Sequence, residues 1–332
     1  MADSIQRNCP ECDSDVTRRR FLKQVGAGAL ALGVAPVVSG SREALAAPTA
    51  TSAAETAVKR LYESLSEQQS SVVCLPFNHK LRKRINANWR ITDARISSEF
   101  LTSDQLATVD DILKGITSEE GYDKLQKQMK ADAGGLPGYS FAIFGQPGTD
   151  KFQFELTGRH LTLRADGNSV PGAAFGGPIV YGHGVEKPSR NLFYDQTKQV
   201  NKVFQALDPA QSKQALVESS PDEDAVALQG RKGKFPGLAV SDMSDDQQEL
   251  VEQTLKSLLS VYRKEDVDEA LAVLIKGGGL ETLHMAYYQD SDLEGDKIWD
   301  VWRIEGPSFV WHFRGDPHVH AYINIGLKGQ QG

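Results

Sequence analysis

The segment WDVWRIEGPSFVWHFRGDPHVHAYINI, residues 299–325, decides the fold that the sequence predicts. Aromatic and β-branched residues dominate it and short polar breaks divide it, a pattern typical of strands joined by tight turns. Three of the seven histidines of the chain, His312, His318 and His320, lie within nine positions of this segment. Since successive side chains of a strand point to opposite faces, the two imidazoles of the His-x-His pair lie on one face of the sheet.

Clustered histidines indicate a metal site, because imidazole is the commonest metal ligand among side chains. Cross-strand neighbours share a face, so His312 joins the other two histidines only if the turn between the strands has an odd number of residues. A fourth histidine, His160, lies in the segment 159–164, where alternation also predicts a strand with a polar side. If the turn is odd, the candidate metal ligands are His312, His318 and His320, with room for His160 from another strand.

The kind of ligand limits which metal ions the site can bind. A site of nitrogen ligands alone suits Cu, Zn or Fe, whereas calcium and magnesium prefer oxygen. Three histidines with an open position are typical of a catalytic centre. The alternative is that these histidines are half-buried strand residues that hydrogen-bond to the backbone and to aromatic neighbours.

Hydrophobic periodicity gives the fold class. A period near 3.6 predicts helices before Gly134-Gly135, a period of 2 predicts strands after it, and residues 190–276 return to a mostly helical pattern before the final strands. The predicted helices cover about 53–66, 103–116, 118–130, 191–207, 209–217, 244–260 and 264–276. The predicted strands cover 71–77, 139–145, 152–156, 159–164, 281–288, 297–305, 308–314 and 318–325. This order predicts an α+β domain with a mainly antiparallel sheet and a mostly helical insertion between its N-terminal and C-terminal strands.

The Gly/Pro-rich residues 166–188 are predicted to form a long ordered loop, and a loop of that length is usually functional. It carries His183 between two glycines. Together with Arg159, Arg164 and Arg303, which could hold an anionic group, His183 is a candidate for binding a small-molecule substrate. No Walker lysine and no G-x-G-x-x-G accompanies Gly176-Gly177, so no nucleotide cofactor is expected. The absence of G-x-S-x-G disfavours a serine hydrolase.

Composition limits the possible partners. The chain has 332 residues, 40% of them hydrophobic, so it can bury a large core. A formal net charge of −7 makes nucleic acid an unexpected partner. No apolar run reaches the roughly 18 to 20 residues of a spanning helix, so no stable membrane span is expected after signal cleavage.

The N-terminus resembles a twin-arginine (Tat) export signal. Arg18 and Arg19 precede Phe-Leu-Lys, a Gly/Ala-rich apolar stretch follows, and Ala44-Leu45-Ala46 is a suitable cleavage site. The resemblance implies the Tat machinery as a partner and a periplasmic or secreted protein. The expected divisions are a signal peptide at 1–46 that is removed, a helix or linker at 47–70 and one α+β domain at 71–327. Cleavage would remove the Cys9–Cys12 pair.

Four motifs identify a further resemblance: GRHLTL (158–163), AAFGGP (173–178), WRIEGPSFVW (302–311) and HVH (318–320). They resemble the bacterial domain-of-unknown-function family numbered 3500, over about residues 70–325. Many members carry a carboxylate at the position of His312, so the resemblance implies His160, His318 and His320 as metal ligands, with His312 as fourth ligand or as a partner of a ligand. The family label implies no activity.

The sequence therefore predicts an exported metalloprotein, an oxidising enzyme if the metal is Cu or Fe and a hydrolase if it is Zn. The alternative function is a non-catalytic periplasmic binding or scaffolding protein with structural histidines.

Overall fold

In the computed structural model, which describes residues 46–290 and 292–327, the final segment lies inside an eleven-stranded sheet. The strands in chain order are β1 Cys74–Leu75, β2 Ser140–Gly145, β3 Phe152–Gly158, β4 Leu161–Ala165, β5 Ile179–His183, β6 Leu216–Val217, β7 Leu238–Ala239, β8 His284–Tyr288, β9 Val301–Gly306, β10 Phe309–Arg314 and β11 Val319–Ile325. Their order across the sheet is β1-β2-β3-β4-β5-β11-β10-β9-β8-β6, with β7 also paired to β8. The predicted export signal and the Cys9–Cys12 pair lie outside the described residues.

The sheet is mixed, which corrects the prediction of a mainly antiparallel sheet. The pairs β1–β2 and β6–β8 are parallel. All neighbouring pairs from β2 through β5, and from β8 through β11, are antiparallel. Each parallel edge strand has two residues and directly follows a helix that ends at Val73 or Ala215. Segments this short carry no readable alternation, so the sequence pattern could not reveal them.

The described helices pack mainly on one face of the sheet. They are α1 Ala53–Ser64, α2 Glu67–Val73, α3 Ser103–Ile116, α4 Glu119–Ala133, α5 Tyr194–Gln205, α6 Pro209–Ala215, α7 Asp245–Leu259 and α8 Lys264–Gly277. Ser244 and Gln247 form a capping box at the start of α7, since each side chain accepts from the backbone N–H of the other. Helix α1 contributes Ala54, Val58 and Leu61 to the main core, so residues 53–64 pack as part of the domain.

The two sheet faces differ in polarity. Trp302, Trp311 and Phe313 point into the main core beside the helices and are fully buried. The opposite face carries polar side chains such as Thr162 and Tyr322, which are also buried. They are covered by irregular chain: the Ala87 N–H donates to the Tyr322 hydroxyl, and Asn86 accepts from Thr162. This polar face is where histidine and carboxylate groups can meet inside the protein.

Strand β5 corrects the prediction of a continuous loop over residues 166–188. Ile179, Val180 and Tyr181 supply the β-branched and aromatic side chains of a strand, and they pair with β4 on one side and β11 on the other. This strand joins the N-terminal half of the sheet to the C-terminal half. The strand predicted at 71–77 is shorter than expected: residues 71–73 end helix α2, and only Cys74–Leu75 is a strand.

The mostly helical insertion corresponds to α5 through α8, with β6 and β7 between them. No helix in the described part of the chain is long and apolar enough to cross a membrane.

Candidate metal centre

His160 lies at a hairpin turn rather than within a strand, which corrects its predicted position. Strand β3 ends at Gly158 and β4 begins at Leu161, so Arg159 and His160 form the connection. The second of these two residues, His160, adopts a positive φ of 58°, as the third residue of a type II turn does. Its backbone N–H donates to the Ala87 carbonyl at 2.5 Å. The turn fixes the imidazole at one end of the sheet, where it is 3% exposed.

His318 and His320 reach the same end of the sheet from the start of β11. The Nε2 atoms of these two histidines are 3.2 Å apart. The three ring centroids lie 4.9 to 5.0 Å from one another. One ligand atom from each of the three histidines lies within 4.8 Å of the other two. Two nitrogens that each lie about 2.0–2.1 Å from one tetrahedral ion are about 3.3 Å apart. The Nε2 atoms of His318 and His320 therefore already have the spacing of two ligands of one metal ion.

Two carboxylates orient two of these imidazoles. Asp132, at the end of α4, accepts a hydrogen bond from Nδ1 of His160 at 2.8 Å. Glu223 accepts from Nδ1 of His320, with both carboxylate oxygens at 3.0 Å. A carboxylate on Nδ1 fixes the tautomer and leaves Nε2 unprotonated, which is the common arrangement around metal-binding histidines.

Each carboxylate is held in turn by further donors. Asp132 also accepts from the Gln128 side chain at 2.8 Å and from the Gly184 N–H at 2.9 Å. Burial by itself would raise the pKa of Asp132, but the hydrogen bonds from His160, Gln128 and Gly184 outweigh it, and the pKa is lowered. Asp132 is therefore a carboxylate at neutral pH.

Glu223 shows the same balance at the other imidazole. Burial opposes ionisation, but the hydrogen bond and charge of His320, the charge of Arg314 and the hydroxyl of Tyr322 lower the pKa of Glu223. Arg314 Nε lies 3.0 Å from the carboxylate, and the Tyr322 hydroxyl donates at 3.2 Å. Glu223 is thus a fixed anion that connects the segment before β7 to β10 and β11.

His318 differs from the other two because no carboxylate of the described residues binds it. Burial, the neighbouring imidazoles of His320 and His160, and the charges of Arg314 and Arg159 lower the pKa of His318 to about 4. Burial is also the largest influence on His320, whose pKa is lowered as well. Both rings are therefore neutral at neutral pH, the form that binds metals.

His312 lies outside this group of three. The observed register pairs Arg314 with His320 and His312 with Tyr322, so His312 shares the face of His320 but lies two register pairs further along the sheet. It is 1% exposed, and its Nδ1 finds no hydrogen-bond partner among the described residues. Burial and the charge of Arg303 lower the pKa of His312 to about 3. It is a buried neutral imidazole beside the site.

Two of the predicted substrate-binding arginines are buried in ion pairs. Arg164 lies 2.9 Å from Glu155 and donates to the carbonyls of Arg82 and Pro178. Arg303 lies 2.8 Å from Glu305 and donates to the Ala225 carbonyl. Both guanidinium groups hold covering chain segments on the polar face, and neither is brought to the three-histidine group.

The other two predicted residues lie nearer to it. His183 ends β5 opposite Val319, and its Nδ1 accepts from the Leu192 N–H at 3.2 Å, so its ring holds the following loop. Arg159 directly precedes His160 and is exposed. The structure thus brings together His160, His318 and His320, with Arg159 beside them.

Sequence reasoning missed Asp132 and Glu223. Asp132 lies in the last turn of a helix, and Glu223 lies in the acidic run Pro221–Asp224, where any of three carboxylates could have been chosen. Their partners are 28 and 97 residues away, respectively. No local motif marks such long-range pairs, and only the folded chain identifies them.

Comparison with known proteins gives one match. No curated protein and no solved structure matches the chain. A family model matches residues 47–323, which include all three histidines and both carboxylates. Because this match covers most of the sequence, the chain belongs to the family described as proteins of unknown function (DUF3500).

Proposed function

We propose that this protein binds one transition-metal ion through Nε2 of His160, His318 and His320. The observation that carries the proposal is the pair of hydrogen bonds that Nδ1 of His160 and Nδ1 of His320 donate to Asp132 and Glu223, since they turn both Nε2 atoms toward a common point. Burying three neutral imidazoles together costs free energy unless their polar nitrogen atoms are bound.

The ligand set favours Cu, Zn or Fe, because all three donors are neutral nitrogen atoms. Three protein ligands leave a position for water or substrate, as catalytic metal sites do. Zinc at such a site supplies a water of lowered pKa for hydrolysis of an ester or amide, and copper or iron supplies oxidation chemistry. We propose a metal-dependent enzyme acting on a small molecule, with His312 as a buried neighbour of a ligand strand.

We also propose that the protein works outside the cytoplasm, in the periplasm or after secretion. The support is the resemblance of the segment around Arg18 and Arg19 to a Tat signal. Transport of folded proteins by this route is compatible with a metal that is bound before export.

A second candidate function is a non-catalytic binding or scaffolding protein with structural histidines. The observation that favours it is that each histidine already has a partner, including the contact of 3.2 Å between His318 and His320, which is also a good hydrogen bond. In this case the histidines tie the hairpin of β3 and β4 to the start of β11 without an ion.

Elemental analysis of protein purified without a histidine tag distinguishes the two functions. The metalloprotein predicts about one equivalent of Cu, Zn or Fe, and its loss from His318→Ala and His160→Ala. His284→Ala, on strand β8 outside the cluster, is the control and should keep the metal. Folded protein that holds no metal and binds none of the three ions when they are added would reject the metal centre and favour the structural function.

A further inference from the structure

Among the three candidate substrate-binding arginines, Arg159 is the one whose charge is not paired with a carboxylate of the described residues. Its guanidinium makes no hydrogen bond or ion pair with any residue in the ranges that the structure describes, and the residue is exposed. Arg164 and Arg303 are instead buried against Glu155 and Glu305. An exposed arginine without a partner is ordinary on a protein surface, so its position relative to the histidines decides whether it matters.

The position of Arg159 is fixed by the backbone around it. Its carbonyl accepts from the Tyr139 hydroxyl at 3.0 Å and from the Gln128 side chain at 3.2 Å, which anchors the residue beside α4. Its side chain reaches Gly184: a Cβ placed on that glycine would lie 3.4 Å from Nη2 of Arg159 and 2.9 Å from Cε1 of His160. Oδ1 of Asp132 would lie 3.0 Å from the same point, so the guanidinium of Arg159, the ring of His160 and the Asp132 carboxylate lie close together around Gly184, where only glycine fits.

The charges around the centre favour an anion there. Neutral imidazoles leave a bound divalent ion with both of its positive charges. Among the charged groups that contact or act on the three imidazoles, the carboxylates of Asp132 and Glu223 are balanced in number by the guanidinium groups of Arg314 and Arg159, so the charge of the ion is left over. This local charge contrasts with the net charge of −7 of the whole chain. Opposite charges at contact distance attract strongly where solvent is partly excluded.

We propose that the metal centre takes its substrate through a carboxylate, which occupies the open position of the metal ion and is held by the guanidinium of Arg159. This inference rests on the proposed metal centre. The planar fork of arginine matches the two oxygens of a carboxylate, which gives the contact direction as well as charge. The substrate class is therefore a small carboxylic acid.

Acetate binding to the cobalt-loaded protein tests the proposal. Cobalt(II) replaces zinc in nitrogen sites and absorbs visible light in a way that changes when a ligand exchanges, so the probe reports binding at the ion itself. Acetate should produce a saturable change in the wild-type spectrum. Acetamide, which has the same shape without the charge, should produce none at the same concentration.

Variants of Arg159 assign the second contact. Because a charged hydrogen bond contributes about 1.5–3 kcal/mol, Arg159→Gln should weaken acetate binding about 10- to 100-fold, with unchanged cobalt content. Arg159→Lys keeps the charge without the fork and should lie between the two. Arg231→Gln, an exposed arginine beside the opposite end of the β9–β10 hairpin, is the matched control and should bind acetate as the wild type does.

The possible outcomes test the metal centre and the carboxylate contact separately. Wild-type protein that binds no cobalt rejects the metal centre itself. Cobalt-loaded protein that ignores acetate, or that binds acetamide as tightly, overturns the carboxylate proposal and leaves the metal centre intact. Equal acetate affinity in the wild type and in Arg159→Gln overturns the role of Arg159.

Discussion

Individual residues at the candidate centre divide into those that contact the proposed ion and those that orient them. His160 and His320 each donate a hydrogen bond from Nδ1 to a carboxylate, whereas His318 has no carboxylate partner among the described residues. A ligand with such a partner is held in one tautomer and one orientation before the ion arrives. We therefore expect His318 to be the most easily displaced of the three ligands.

Asp132 provides the residue-scale prediction. Asp132→Asn removes the negative charge that receives the Nδ1 proton of His160, and loss of such a partner lowers metal affinity about 10- to 100-fold. Competition between the protein and a coloured chelator for zinc measures the effect. Asp123→Asn, an exposed position on the same helix, is the control. Unchanged zinc affinity in Asp132→Asn would mean that His160 is not oriented through this hydrogen bond.

The elements that carry the site were predictable to different degrees. Strands β9, β10 and β11 follow from alternating aromatic and β-branched residues, and the helix bounds near Thr102 and Ser244 follow from capping residues. Strand β5 was hidden because its five residues are flanked by glycine and proline, which favour a loop. The position of His160 was missed because a tight turn accepted histidine where glycine or asparagine is usual.

Helix α3 gives a prediction at the scale of an element. The Thr102 hydroxyl accepts from the Gln105 N–H at 3.3 Å, and the Gln105 side chain accepts from the Thr102 N–H at 3.0 Å, which completes a capping box. Thr102→Ala leaves backbone N–H groups of the first turn without this partner and should lower the free energy of unfolding by about 1 kcal/mol.

Chemical denaturation measures this change. Ser103→Ala, at the first helical position next to the cap, is the matched control and should change stability by about 0.5 kcal/mol or less. If both variants unfold at the same denaturant concentration, the cap contributes nothing measurable and helix α3 is held by its buried face alone.

For the whole molecule, the sheet joins distant parts of the chain at one end. The hairpin with His160, the start of β11 and the acidic segment with Glu223 meet only because β5 pairs with both β4 and β11. Sequence alone indicated which histidines to consider, since they stand out by type and spacing. It could not indicate Asp132 or Glu223, because a carboxylate is selected by a fold-dependent contact and not by its neighbours in the sequence.

A cluster of buried charged residues around Arg263 affects the stability of the whole domain. Arg263 donates two hydrogen bonds of 2.7 Å to Glu55 and two, of 2.9 and 3.2 Å, to Asp266. Asp166 and Glu269 are buried nearby. Burial raises the pKa of Glu269 to about 8, and the charges of Asp166 and Asp266 add to the effect. Burial likewise raises the pKa of Asp266 to about 7.

These raised pKa values predict how stability depends on pH. The folded protein keeps the proton of Glu269 up to about pH 8, whereas the unfolded chain releases it near its ordinary value of 4.5. The stabilisation by this group is therefore complete below pH 4.5 and is lost as pH rises toward 8. Glu269→Gln, which stays neutral, should lose less stability than the wild type between these two pH values.

Denaturation series at several pH values test this prediction. Glu249→Gln, an exposed glutamate on α7, is the control and should follow the wild type. Parallel stability curves for Glu269→Gln and the wild type would show that Glu269 ionises normally inside the folded protein.

The central claim is that three imidazoles bind one ion, and anomalous diffraction from crystals soaked in zinc tests it most directly. The claim predicts a single strong anomalous peak about 2.0–2.1 Å from Nε2 of each of His160, His318 and His320. It also predicts that Asp132 and Glu223 keep their hydrogen bonds to Nδ1. A crystal with no peak at that point, and with His318 still hydrogen-bonded directly to His320, would contradict the claim.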